Sequence, residues 1–451
     1  MTAWFPDKRW SARRGLNPTR TTAVSFGVLI ALGTLLLLLP PMSRNGRSAG
    51  LFLSLYTAAS ATCVTGSVLA DPAGQWSLGG QLVLLLLVQL GALGVMMAYS
   101  LLLLLFRREL VLSQRVTLAS ALGLHSVGGV TRLVRHGLMG TLLFEAAGTL
   151  LLAFRFIPLF GPGPGLWASL FHSVSAFCNA GFDLMGGDLS RFLSDPYVLF
   201  VHMILTVAGG LGFFVWEDLL RARRWRDLSL YSRLAILGTA GLLLFGWLYF
   251  LASEWANPAT LGAMAPGERF TAALFQSVNL RTAGFAVFPQ GGMRESSQVM
   301  SLLFMVIGGC SGSTACGVKV VTALVLAAAL WTGLRGRPEV VIRGRTVPRT
   351  LVRNALTLTL SMLLAIFIGS LVMSHIEGGA YLPVLFETVA SIGTVGLSAG
   401  VPGGFSTASR VVCLVLMYLG RVGIVSFSLA FLTRKHGEEK IKYPDCELFI
   451  G

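Results

Sequence analysis

The chain has 451 residues, of which 54% are hydrophobic and only 12% charged, with a formal net charge of +15. Several apolar runs reach the ~20 residues that cross ~30 Å of hydrocarbon, so a two- or three-domain soluble protein is excluded. The positive excess sits in loops between those runs. This is the signature of cytoplasmic membrane loops rather than of a nucleic-acid partner.

Taken in order, a basic segment, residues 1–21 (Lys8, Arg9, Arg13, Arg14, Arg20), precedes a first span at Thr22–Leu39, with no small-x-small cleavage site behind it. Seven further spans follow: Gln81–Phe106, Leu133–Ile157, Tyr197–Leu220, Tyr231–Trp255, Val299–Leu330, Leu351–His375 and Val411–Leu432. Between the members of each pair lies a run too short to cross: Leu51–Ala61, Leu166–Ala176, Phe270–Val278 and Tyr381–Ala390. Each run leads into a related motif: Ala61-Thr62-Cys63-Val64-Thr65-Gly66, Ala176-Phe177-Cys178-Asn179-Ala180-Gly181, Asn279-Leu280-Arg281-Thr282-Ala283-Gly284 and Ser391-Ile392-Gly393-Thr394-Val395-Gly396. The last glycines recur about every 100–115 residues. The plan is therefore four repeats, at 22–106, 133–220, 231–330 and 351–432. Cytoplasmic linkers occupy 107–132, 221–230 and 331–350, and a tail occupies 433–451. The expected fold is an all-α polytopic membrane protein of eight transmembrane helices, with four helix–pore helix–helix repeats around a pseudo-fourfold pore.

Arginines and lysines cluster after the second span of each pair, whereas most carboxylates (Asp71, Asp183, Asp188, Asp195, Glu254, Glu268, Glu295, Glu377) lie on the opposite side. Both termini are then cytoplasmic and all four short runs enter from outside. Two crossings per repeat keep every repeat in one orientation, the parallel class of internal repeat. A single glycine of this kind reads as a helix-packing site. Four in register, each after a short helix, read as turns that hold main-chain carbonyls toward one axis. Such a ring replaces the water of a dehydrated cation, and positive φ is open to glycine at little cost. The partly negative C-termini of the short helices favour a cation there as well.

The sixth span is interrupted by Gly308-Gly309-Cys310-Ser311-Gly312-Ser313-Thr314-Ala315-Cys316-Gly317, between Leu302–Ile307 and Val320–Leu330. Each glycine costs ~1 kcal/mol of helix stability relative to alanine. Freed backbone groups at that depth must meet protein or water. The alternative to a gate is a span kinked for packing. A phosphate-binding loop is excluded because Val318 separates Gly317 from Lys319. Arg421 lies mid-span, too deep to snorkel, and needs an internal partner: either carbonyls of the broken span or a buried carboxylate such as Glu145 or Glu387. The six cysteines lack paired ligand spacing, and no histidine stands near Cys310 and Cys316. None of the six histidines forms a pair at helical spacing, Glu217-Asp218 reads as a solvated helix end, and no enzyme signature is present.

Thr62-Cys63-Val64-Thr65-Gly66, Phe177-Cys178-Asn179-Ala180-Gly181-Phe182 and Thr394-Val395-Gly396-Leu397 resemble the filter loops of the Trk/Ktr/HKT superfamily of potassium transporters. Over essentially the whole chain the likeness is to the Ktr-type membrane subunit, whose short C-terminal signature Tyr443-Pro444-Asp445…Gly451 also resembles. The resemblance implies potassium translocation, with no organic cofactor in this chain. It assigns potassium-coordinating carbonyls to Val64, Thr65, Asn179, Ala180, Thr282, Ala283, Thr394 and Val395, beside Gly66, Gly181, Gly284 and Gly396. It implies a gate at Gly308, Gly309, Ser311, Gly312, Ser313, Thr314, Gly317 and Lys319, held closed by Arg421. Some sodium-conducting plant relatives carry serine at the first glycine, so Gly66 favours potassium. Arg281 is expected to point behind the pore. Sodium activation, a homodimer and a cytoplasmic nucleotide-binding regulatory ring (RCK-type, KtrA-like) docked on the basic loops are implied likewise, in a bacterial plasma membrane. A sodium-coupled potassium symporter and a non-conducting regulatory membrane subunit are the alternatives.

Overall fold

The computed structural model describes residues 18–94, 130–186, 189–400 and 404–423. Within them the chain is helical apart from turns and one two-stranded hairpin, β1 (Val341–Ile342) with β2 (Arg345–Thr346), in the third linker. Four long helices begin the repeats: α1 (Pro18–Leu37), α4 (Val130–Phe160), α8 (Leu230–Glu254) and α12 (Arg349–Glu377). Each contains an apolar segment long enough to cross a membrane. The short pore helices are α2 (Leu51–Cys63), α5 (Pro162–Phe177), α9 (Pro266–Asn279) and α13 (Tyr381–Ile392). Their C-terminal turns are buried, whereas the long helices expose leucines and phenylalanines, as a lipid-facing surface requires.

The second helix is broken within repeats 2 and 3, and its described part stops at a glycine in repeats 1 and 4. In repeat 1, α3 (Leu78–Leu93) stops at Gly94, φ +78°. In repeat 2, α6 (Pro196–Leu211) and α7 (Phe213–Arg221) meet at Gly212, φ +85°, with a 90° bend. In repeat 3, α10 (Glu295–Val306) and α11 (Val320–Leu334) flank the glycine-rich break, and in repeat 4, α14 (Thr407–Val422) stops at Gly423, φ +87°. This corrects the fourth span, expected as one run from Tyr197 to Leu220. A residue lacking Cβ reaches positive φ cheaply, and the chain uses it to turn. The expected continuations 95–106 and 424–432, the linker 107–129 and the tail 433–451 lie outside the described residues, as does Asp188.

Packing closes the bundle into a ring. Each long helix packs on its own pore helix, and each second helix also packs on the pore helix of the next repeat: α3 on α5, α6 on α9, α10 on α13, and α14 back on α2. Four repeats linked head to tail in this way enclose one axis, the arrangement that parallel repeats in a membrane permit.

Candidate functional site: a ring of four glycine hairpins

The hairpins share one backbone conformation. Two residues before each final glycine, the chain turns left-handed at Val64 (φ +58°), Asn179 (+59°), Thr282 (+68°) and Thr394 (+51°). It does so again at Gly66 (+80°), Gly181 (+67°), Gly284 (+80°) and Gly396 (+81°). Non-glycine residues rarely adopt that region, so four in register constitute a built feature and not a packing accident.

Local hydrogen bonds explain the conformation. Val64 N–H donates to Ala61 O (3.1 Å) and Thr65 N–H to Ser60 O (2.8 Å), a left-handed helix cap. Hairpins 2 and 4 repeat it with Asn179 to Ala176 O, Ala180 to Ser175 O, Thr394 to Ser391 O and Val395 to Ala390 O. Hairpin 3 departs, with Ala283 N–H donating to Asn279 O at 3.0 Å. The caps consume the amide donors and leave the carbonyls. Among the described residues, no protein donor reaches the carbonyl oxygens of Val64, Thr65, Asn179, Ala180, Thr282, Ala283, Thr394 or Val395. Eight buried acceptors left over in a protein interior point to an outside partner.

The four hairpins touch in cyclic order. A Cβ added at Gly66 would stand 2.3 Å from Ala180 O, and one at Gly181 would stand 2.8 Å from Ala283 O. The same construction at Gly284 meets Val395 O at 2.4 Å, and at Gly396 it meets Thr65 O at 2.0 Å. The last contact returns to the first hairpin, so the ring is closed. Above it opens a cavity of about 720 Å³ lined by the four glycines together with Asp71, Asp183 and Glu387.

Below the ring, the segment 308–317 is threaded rather than loose. Its Cys310 N–H donates to Gly210 O (2.9 Å), Val318 N–H to Val306 O (2.9 Å) and Val320 N–H to Gly309 O (3.1 Å). In return Gly312 O accepts from Phe213 N–H (3.0 Å), and Ser311 O from the Tyr231 hydroxyl (3.1 Å). Thr314 Oγ1 donates to Phe177 O at 3.2 Å, joining this segment to the end of the second pore helix. The backbone groups freed by the broken helix are thus met by protein, as a low-dielectric interior demands.

Two cations bind the segment from below. Arg421 Nη1 donates to Thr314 O (2.7 Å) and contacts Cys316 Sγ (3.1 Å), while Nη2 donates to Gly91 O and to Ala92 O (3.0 Å). The guanidinium therefore ties the third repeat's break to the end of the first repeat's second helix, a span only a forked donor bridges. Lys319 Nζ donates to Ala315 O at 2.6 Å, and both side chains line a cavity of about 200 Å³ beneath the segment. Glu145 instead accepts from Gln89 (3.2 Å) and lies 3.7 Å from Cys178 Sγ. Arg281 is buried behind hairpin 3, with Nη2 near Gly308 O (3.3 Å) and Thr239 Oγ1 (3.4 Å).

Two features escaped the sequence reading. One is a second fourfold motif, glycine-x-x-glycine, at Gly91–Gly94, Gly209–Gly212, Gly309–Gly312 and Gly420–Gly423. In three copies the first glycine lies against the pore helix end: a Cβ at Gly91, Gly209 or Gly420 would stand 2.1, 1.8 or 2.0 Å from the carbonyl oxygen of Thr62, Phe177 or Ile392. Its recurrence was the available signal. The other is a direct hydrogen bond between His172 and His202, 30 residues apart and on different helices, where no local spacing rule applies.

The family model for the TrkH cation transport proteins matches residues 1–441. The chain belongs to that family. It is 36% identical to the Ktr system potassium uptake protein B of Bacillus subtilis over 96% of this chain and 97% of that protein. It is also 36% identical to the potassium/sodium uptake protein NtpJ of Enterococcus hirae, over 97% of this chain and 98% of the relative. The crystal structure of the potassium transporter TrkH from Vibrio parahaemolyticus superposes with a TM-score of 0.74 over 95% of this chain and 87% of that one. At 18% identity that match shows the fold, a polytopic helical membrane protein.

Proposed function

We propose that this chain is the pore-forming membrane subunit of a Ktr-type potassium uptake system. Potassium descends its electrochemical gradient through the ring of Val64, Thr65, Asn179, Ala180, Thr282, Ala283, Thr394 and Val395 carbonyls. The observation that carries this reading is the closed cycle of four hairpins, whose eight carbonyls lack protein donors among the described residues. A membrane potential contributes ~2.3 kcal/mol per charge per 100 mV, enough to concentrate potassium without a pump. Segment 308–317, tied by Arg421, is the closed gate. Opening requires Thr314 O to leave the guanidinium and Thr314 Oγ1 to leave Phe177 O.

The chain works in a bacterial plasma membrane with both termini cytoplasmic, a placement supported by the arginine-rich linkers. A homodimer and a cytoplasmic nucleotide-binding ring on those linkers complete the assembly. Relatives named as the B component of a Ktr system support the presence of further subunits. A second reading, sodium-coupled symport, draws on the relative named for potassium and sodium together. Reconstitution of the purified chain in liposomes separates the readings. A pore gives currents reversing at the potassium equilibrium potential, fixed sodium stoichiometry displaces that reversal, and absence of flux overturns both.

A further inference from the structure

The buried histidine pair lies between two adjacent hairpins of the ring. His172 is on α5, nine residues before Gly181, and His202 is on α6; both side chains are fully buried. Leu184 N–H donates to His172 Nε2 at 3.1 Å, His172 Nδ1 lies 3.1 Å from His202 Nε2, and His202 Nδ1 lies 2.8 Å from Val198 O. An amide N–H can only donate and a carbonyl can only accept, so the two ends fix everything between them. His172 Nε2 is bare and its Nδ1 carries the proton, donated to a bare His202 Nε2. His202 Nδ1–H is donated to Val198 O. Both rings are neutral, and each has one permitted tautomer. Leu184 follows Gly181-Phe182-Asp183 on the outer limb of hairpin 2, and Asp183 lines the cavity above the ring.

Phe285, the residue after Gly284 in hairpin 3, packs on both imidazoles, with ring centroids 6.3 Å from His172 and 5.3 Å from His202. Phe156 of α4 also packs edge-on against His172, with ring centroids 5.6 Å apart. The positions equivalent to His172 in the other repeats are Thr57, Phe275 and Glu387, so hairpin 2 alone carries the device.

We propose that His172 and His202 are positioning residues for the filter: their directed hydrogen-bond chain anchors the outer limb of hairpin 2 and, through Phe285, sets its spacing from hairpin 3. The selectivity consequence rests on the pore reading above, because Gly181 and Gly284 are neighbours in the ring. Loss of the chain lets two of the four carbonyl-bearing strands drift, which relaxes discrimination by cavity size more than it changes throughput.

The direct test is ¹⁵N solid-state NMR of the full chain, histidine-labelled, in lipid bilayers, with His172→Gln and His202→Gln used to assign the signals. Both imidazoles are expected in the Nδ1–H form with Nε2 bare; an Nε2–H form at either site overturns the chain. The second arm measures bi-ionic reversal potentials. His172→Phe keeps an aromatic ring but abolishes both bonds, and the potassium-over-sodium permeability ratio should fall about tenfold, the scale of one buried hydrogen bond left unmade. His172→Gln, which supplies an acceptor and a donor, should restore it. An unchanged ratio in His172→Phe with normal conduction defeats the proposal. Should that variant fail to insert, His202→Phe carries the same expectation, since it strands the His172 Nδ1–H. If the wild-type chain passes no potassium, the pore reading and the selectivity role fall together, while the tautomer result stands or falls alone.

Discussion

Replacing Gly66 by serine perturbs the ring at one known contact. At φ +80° an L-residue costs about 1–2 kcal/mol in backbone strain. The added Cβ would stand 2.3 Å from Ala180 O and 2.9 Å from Gly181 Cα, both backbone atoms of the next hairpin. Relief to the 3.4 Å of ordinary contact needs the Ala180 carbonyl to retreat by about 1 Å, since no flexible side chain gives way. A hydrogen bond or similar polar contact to a charged group contributes about 1.5–3 kcal/mol. Loss of one carbonyl's contact should therefore lower the potassium-over-sodium permeability ratio by about ten- to a hundredfold, at 1.4 kcal/mol per tenfold. Under bi-ionic conditions each tenfold step moves the reversal potential by about 59 mV. Gly46→Ser is the control: its φ of +68° imposes the same strain, but no atom lies within 4 Å of the new Cβ. A reversal potential that stays at the wild-type value in Gly66→Ser, with normal insertion, would refute the carbonyl-ring account.

Arg421→Ala removes every tie between the 308–317 segment and α3, and should raise regulator-independent potassium flux by about a hundredfold at ~3 kcal/mol of lost closure. Arg421→Lys, with a single donor head, should fall between; flux assays in liposomes that rank the three otherwise count against the gate. Thr314→Val loses the hydroxyl contacts to Phe177 O (3.2 Å) and Asn179 Oδ1 (3.4 Å) and should favour opening by about 1 kcal/mol, roughly fivefold in basal flux. Gly91→Ala, Gly209→Ala and Gly420→Ala each drive a methyl into a pore-helix carbonyl and should cost about 1–3 kcal/mol in detergent unfolding, whereas Gly241→Ala, with open space around it, should cost nothing.

Composition and glycine spacing were enough to read the helical membrane fold, because hydrocarbon thickness dictates span length and main-chain carbonyls demand unusual turns. The pore helices begin and end within a few residues of the apolar runs, as α13 at Tyr381–Ile392 does against Tyr381–Ala390. What stayed hidden is what depends on contacts between repeats. The sequence around Gly212 reads as an unbroken apolar helix, and only the neighbouring segment, through Gly312 O and Phe213 N–H, makes the 90° bend worthwhile. The acceptors of Arg421 are backbone oxygens from residues over 100 positions away, and a carbonyl leaves no trace in residue identity. His172 and His202 meet for the same reason: pairing across helices follows from the packing of α5 on α6, which periodicity does not encode.

A pore built from four non-identical repeats differs in one physical respect from a ring of identical subunits: an asymmetric part need be built only once. Three of the second helices are stopped by a glycine, Gly94, Gly212 or Gly423, and α10 stops at Val306, just before the glycine-rich break, so the recurring break provides the scaffold. Among the described residues, repeat 2 breaks at Gly212 alone whereas repeat 3 lengthens the break between Val306 and Val320, and only repeat 4 places an arginine, Arg421, inside its glycine-x-x-glycine. The arginine's reach from Thr314 O to Gly91 O crosses from repeat 3 to repeat 1, so in the proposed gate closure is a bond between breaks rather than a deformation of any pore helix. Opening can then leave the hairpins in place. Selectivity and gating should accordingly separate under mutation, with Gly66→Ser moving the reversal potential alone and Arg421→Ala the flux alone. A single substitution at either position that shifts both quantities together would mean that the ring and the segment beneath it form one mechanical unit.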